Sequence, residues 1–488
     1  MTSQFHHSPN IAGAYLTHAQ TQAHAQPAQV VLDNFGLPVP ADARQQLARA
    51  WLWLGLLALI GSGIFSILLV LSRTPGINQL LPGTDFFRVA LVVHVDLSVL
   101  VWFIAIAGML WSINSMPGKL SWAWAALYLT GLGAAIMSIA AFIAPGEAIM
   151  ANYIPVLNSP IFISGLLVFG LGVVILVSRS LIAAPKVGVI IDGAAALRFG
   201  TNASVVASAV ALMAFAWSYL SLSHSLSGNA YYEILFWGGG HGLQFTWTLL
   251  MLVAWLWLGN ACGARTLLSP RLCILMFALA LLSVFVAPYA YLAYDIASVE
   301  HRNLHTWAMR LGGGIAIAPM ALALVFGLRG ATPTADTSRP LFAALVASMF
   351  LFAAGGIIGA LINGNNVKIP AHYHGCIVGV TLAFMGLVFH LLPQLGYAAV
   401  RGKLATAQPY IYGSGQLMHI IGLVWSGGYG VQRKVAGADQ VLHSTAEIAG
   451  MGLMGLGGLV AIIGGLIFVL IVIGSLRQSS QHTKSNLT

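Results

Sequence analysis

Charge is what this chain has least of. Only 7% of its 488 residues are Asp, Glu, Lys or Arg, while 58% are hydrophobic, which leaves too little polar surface to cover a water-soluble globule of this size. Cysteine is almost absent as well. Cys262, Cys273 and Cys376 form no Cys-x-x-Cys pair, so neither a disulfide framework nor a thiolate metal site is expected. Without a Cys-x-x-Cys-His motif, covalently attached c-type haem is not expected either. The formal net charge of +9 does not point to nucleic acid, because the basic residues stand singly in loops and form no stripe.

What the chain does have is long apolar runs. Twelve are read, at roughly 51–72, 88–115, 122–144, 159–178, 201–222, 231–258, 272–298, 311–328, 340–363, 371–396, 410–430 and 446–476, each able to cross a hydrocarbon core of about 30 Å as a helix. The expected fold class is an all-α polytopic membrane protein, a twelve-transmembrane-helix bundle. Residues 46–477 make one membrane domain, flanked by a polar cytoplasmic tail at 1–45 and a second tail at 478–488. His6, His7, His18 and His24 belong to the first tail and are read as solvated. With a cytoplasmic N-terminus, fourteen of the 21 Lys and Arg residues fall on the cytoplasmic side, so the positive-inside rule orients the bundle in a bacterial inner membrane with both termini inside.

A histidine or acid in hydrocarbon is costly, which makes it a functional candidate by default. Five histidines converge at one depth near the outer face: His94 in the second span, His241 in the sixth, His301 at the end of the seventh, and His372 with His374 at the start of the tenth. Neutral imidazole is a common ligand for iron and copper. His372 and His374 lie two apart, about 200° around a helix, so one helix can serve two different cofactors. Asp96, Glu233 and Asp295 are further acids at membrane depth.

The His in VVHVDLSVLVWF, the segment WGGGH and the segment AHYHG followed by an apolar run ending in LLPQL together resemble the haem-copper oxidase superfamily catalytic subunit, which includes cytochrome oxidases and respiratory nitric oxide reductases. The resemblance spans nearly the whole chain. AHYHG and LLPQL are most similar to the cbb3-type branch. The resemblance implies two haems, with His94 and His374 holding the low-spin one and His372 the high-spin one. It also assigns Arg433 and Lys434 in YGVQRKV to haem propionates.

The family's second metal takes one histidine from helix six, here His241, and an adjacent His-His pair, here Glu300-His301 in SVEHRNLHTW. With Glu300 as a ligand the set shifts from copper toward non-haem iron, and the chain looks like a nitric oxide reductase branch. The other reading of Glu300 is a rim residue paired with Arg302. His305, four residues on, would lie one turn beyond and could be a ligand instead if the helix continued, but the chain is expected to leave the membrane there. The catalytic tyrosine of oxygen reductases has two places in the family. The helix-six place holds Phe245, and the cbb3-type place, six residues before the histidine pair, holds Tyr294. Nitric oxide reduction to nitrous oxide with iron is thus the leading expectation, and oxygen reduction to water with copper and Tyr294 the alternative. Electrons must come from a partner subunit bearing copper or c-haem, or from quinol.

Overall fold

The computed structural model describes residues 34–72 and 85–485 except 224, 265–267, 330, 332, 334, 363–365 and 430–443, with side chains described to 478. Arg433 and Lys434, and the four N-terminal histidines, lie outside the described residues.

Twelve long helices follow one another in chain order. They are α1 (Ala43–Leu71), α2 (Phe86–Ile113), α3 (Leu120–Ile143), α4 (Pro160–Ile182), α5 (Gly193–Ser221), α6 (Gly228–Ala261), α7 (Pro270–Ala293), α8 (Val299–Leu328), α9 (Ser338–Ala360), α10 (Lys368–Leu391), α11 (Lys403–Gly428) and α12 (Thr445–Ser485). Among the described residues eleven of these are long and apolar enough to cross a membrane. The exception is α11, whose YGSGQLMH stretch dilutes its apolarity, yet it packs lengthwise on α9, α10 and α12. The protein is an all-α polytopic membrane protein.

Helix starts follow capping chemistry. Side chains of Asp42, Asp85, Asp192, Ser269 and Ser298 accept backbone N–H bonds at the first turns of α1, α2, α5, α7 and α8, satisfying donors that have no partner inside the helix. Small residues then set the closest approaches. A Cβ on Gly133 of α3 would run into the backbone of Phe169 on α4, and one on Gly415 of α11 into that of Ala461 on α12, so these pairs touch nearly backbone to backbone.

The seventh and eighth spans differ from the sequence expectation. α7 breaks at Phe285 and resumes at Val286, because Pro288 has no N–H to give the carbonyl of Val284. It then stops at Ala293, five residues before the expected end, and residue 294 is extended. Ser298 starts a new helix by accepting the N–H of His301 at 3.1 Å. Residues 299–310 are therefore the first turns of α8 rather than a loop leaving the membrane. Two π-helical turns interrupt the bundle, at Asp96–Val101 in α2 and Ala308–Gly312 in α8.

The connection between α3 and α4 is a small hairpin, β1 (Glu147–Ile149) paired antiparallel with β2 (Val156–Asn158) in the register Glu147↔Asn158. Its tip folds against α6, at the level of His241.

Candidate metal and haem sites

His301 and His305 are one helical turn apart on α8, hence on one face. Both are buried, and their rings lie 4.6 Å apart by centroid. His241 of α6 is buried beside them, 5.7 Å from His305. Glu300 immediately precedes His301, so it projects about 100° away around the helix, and it is exposed. The structure thus groups His241, His301 and His305 and leaves Glu300 at the rim.

Hydrogen bonding prepares these rings for a metal. A carbonyl can only accept, so the 2.8 Å contact of His241 Nδ1 with Trp237 O and the 2.9 Å contact of His305 Nδ1 with His301 O place a proton on Nδ1 in each ring. That tautomer leaves Nε2 as a bare lone pair. His305 Nε2 and both nitrogens of His301 are buried without any hydrogen-bond partner. Buried polar atoms are rarely left so, and an ion would satisfy them. Among the described residues no three His, Cys, Asp or Glu side chains already surround one point. The rings instead form a string, and closing it requires His301, which nothing hydrogen-bonds in place, to turn. A cavity of about 10 Å³ adjoins His241 and His305, lined also by Phe245, Ser283, Val284 and Ala287.

Aromatic rings surround the cluster. Tyr291 packs on His301 at 4.7 Å and on His305 at 5.8 Å, and its hydroxyl is 2.7 Å from Ser218 Oγ. Tyr294 is 37% exposed and packs on Tyr289 instead. Tyr153, at the tip of the hairpin, reaches His241 with its hydroxyl 2.9 Å from Nδ1. Burial, with the negative charge of Glu233 nearby, raises the Tyr153 phenol above its ordinary range.

The other three histidines repeat the same pinning. His94 gives its Nδ1 proton to Ser62 O at 3.0 Å, with Ser62 Oγ and Ser66 Oγ each 2.9 Å away. His374 gives its Nδ1 proton to Pro370 O at 2.8 Å and His372 to Gly355 O at 2.7 Å. Each is left with Nε2 as its unprotonated nitrogen. His372 turns toward α9, where a Cβ on Gly359 would stand 2.5 Å from its Nδ1. His374 turns the other way, toward α11, and meets His419 ring to ring at 4.9 Å. His419 in turn gives its Nδ1 proton to Met454 O at 3.0 Å. Six histidines thus present Nε2 with Nδ1 held by a backbone carbonyl, a donor set suited to haem iron and to copper.

Sequence reasoning weighed His305 but expected the chain to leave the membrane there, and it passed over His419 and Tyr153. His305 was legible in the i, i+4 spacing to His301 and in the Ser298 cap. His419 stands alone in an apolar run, which is itself a signal. Tyr153 carries no local signal, since only folding brings its loop to α6. Asp96, in the π turn of α2, is 1% exposed and both carboxyl oxygens lack a partner.

Comparison with known proteins identifies the family. An uncharacterized protein of Rickettsia prowazekii (strain Madrid E) is 29% identical over 493 residues, covering 87% of this chain and 95% of its own length. An uncharacterized protein of Aquifex aeolicus (strain VF5) is 30% identical over 363 residues, covering 74% of this chain and 88% of its own. The fold is similar to that of a heme-copper terminal oxidase dimer solved by cryo-EM, with a TM-score of 0.68 and 19% identity over 90% of this chain and 84% of that one. The family model for cytochrome C and quinol oxidase polypeptide I matches residues 46–467. The chain belongs to that family.

Proposed function

We propose that this chain is the catalytic subunit of a terminal respiratory oxidase that reduces oxygen to water, with copper as the second metal. The observation that carries the choice of gas and metal is the grouping of His241, His301 and His305 with Glu300 exposed. Three imidazoles suit copper, whereas the nitric oxide reading rested on a carboxylate ligand that moves preference toward iron.

In this reading His94 and His374 hold the low-spin haem, His372 the high-spin haem, and His241, His301 and His305 the copper. The bound metals supply electron storage and the site at which oxygen is held. The protein's own part is to keep five of these six imidazoles, all but His301, in one tautomer through backbone carbonyls, so that no proton competes with a metal for Nε2. It also keeps the site dry: Phe245, Val284 and Ala287 line the cavity beside His241, and low polarity there strengthens every electrostatic contact. A donor beyond this chain, a partner subunit bearing copper or c-haem or else quinol, delivers electrons on the outer side.

The test is metal content with gas consumption. Purified enzyme is expected to carry one copper per two haems, consume oxygen and make no nitrous oxide. His305→Ala should lose the copper and keep both haems, while Glu300→Gln should keep copper and turnover. Iron in place of copper, or loss of the second metal on Glu300→Gln, would return the assignment to nitric oxide reduction.

A further inference from the structure

The hairpin between α3 and α4 does something unusual at its tip. Tyr153 has φ of +71°, a left-handed conformation that a residue with a side chain rarely adopts. Such strain persists only where surroundings over-determine it. Here they do. The Tyr153 ring lies on α6 over Gly240, where any Cβ would run into it. It also packs edge-on against Trp237 at 5.9 Å and tilted against His241 at 5.0 Å. The neighbouring N–H of Asn152 donates to Glu233 Oε1 at 3.1 Å, tying the hairpin to α6 two turns above His241.

All of this delivers one atom. The phenol oxygen lies 2.9 Å from His241 Nδ1 and 3.1 Å from Nε2. Nδ1 already carries its proton toward Trp237 O, so without an ion the phenol O–H can donate only to the Nε2 lone pair; an ion on Nε2 would leave the phenol with the Nδ1 N–H, as a second acceptor beside Trp237 O. Tyr153 is the only hydrogen-bonding side chain on any ring of the trio that comes from outside α6 and α8, among the described residues. His301 and His305 have no such partner.

We propose that Tyr153 is a positioning residue of the second-metal site: its ring and hydroxyl fix the plane of the His241 imidazole, and once an ion takes Nε2 the hydroxyl accepts the Nδ1 proton from behind. This rests on the reading of His241 as a metal ligand. A group that braces a ligating histidine from behind is worth about 10–100-fold in metal affinity. The strained hairpin therefore links the outer surface of the protein directly to the metal site.

Tyr153→Phe removes the hydroxyl and keeps the ring, whereas Tyr153→Ala removes both. Each is made in the full chain, purified with its haems, stripped of the second metal with a chelator and titrated back with copper. Haem absorbance reports folding, and the copper electron paramagnetic resonance spectrum reports ligand geometry. Tyr153→Phe is expected to keep haem content, weaken copper binding at least about 10-fold and change the copper spectrum. Gly240→Ala, which pushes the ring off α6, should do the same. Wild-type copper affinity and spectrum in Tyr153→Phe would overturn the proposal, as would loss of haem in that variant, because either assigns the residue to packing alone. His241→Ala separates the two layers: if it retains full copper binding, the underlying ligand assignment fails whatever Tyr153 does.

Discussion

His372 and His374 show how much two positions on one helix can separate. They stand about 200° apart around α10, and their protons go to Gly355 O and to Pro370 O, so their Nε2 atoms serve opposite sides. His374→Ala is expected to abolish the low-spin haem spectrum and leave the high-spin one, and His372→Ala to do the reverse. Optical and magnetic circular dichroism spectra of the purified variants check this, and loss of both haems from either variant would count against separate sites. The same angular argument separates His301 from Glu300, since one residue on a helix is about 100° and four residues return to the same face. A neutral carboxylate-to-amide change at position 300 thus belongs with the rim, where surface substitutions are usually within about 0.5 kcal/mol.

At the scale of elements, the decisive event is where α7 stops and α8 starts. Ser298 caps α8 through the N–H of His301, and the acidic Glu300 in the first turn complements the positive end of the helix dipole. That is a role for Glu300 needing no metal. Ser298→Ala should cost about 1 kcal/mol and, because the cap holds the residue that carries one of the rings, lower copper occupancy together with thermal stability. Parallel thermal inactivation and metal analysis check it; a stability loss with full copper would confine the cap to a structural part. The twelve spans read from hydropathy each correspond to a helix, but the reading placed 299–310 outside the membrane, because His301, Arg302, Asn303, His305 and Arg310 make that stretch polar. Two buried histidines on one face of an otherwise largely exposed helix end and the polarity of a loop look alike in a window average.

For the whole molecule, we propose from the distribution of Lys and Arg that both termini face the cytoplasm, and the structure supplies exposed positions at both ends to test it. Val189, between α4 and α5, is 99% exposed, and Glu147 lies in the hairpin at the opposite end of α4 and is also exposed. Val189→Cys is expected to react with a membrane-impermeant thiol reagent only from the cytoplasmic side, and Glu147→Cys only from outside. Cys262 and Cys273 are buried and Cys376 only partly exposed, which keeps the background low. The opposite labelling pattern would invert the topology and place the histidine clusters near the cytoplasmic face.

The fold class and the presence of histidines inside the spans were legible in the sequence, because both depend on local properties. Length and apolarity set which segments cross a bilayer, and a histidine in such a segment is conspicuous wherever it points. The composition of the second-metal site was not legible, because it depends on phase. The reading turned on whether Glu300 or His305 accompanied His301, and that was decided by a helix boundary fixed by Pro288 and Ser298. The hydroxyl of Tyr153 on His241 was beyond any local reading, since it comes from a loop 88 residues away in the chain and reaches α6 only because Gly240 leaves room for its ring. Sequence alone determined the solvent, the helices and most of the candidate ligands; packing between distant segments decided which of those side chains come together and what holds them there.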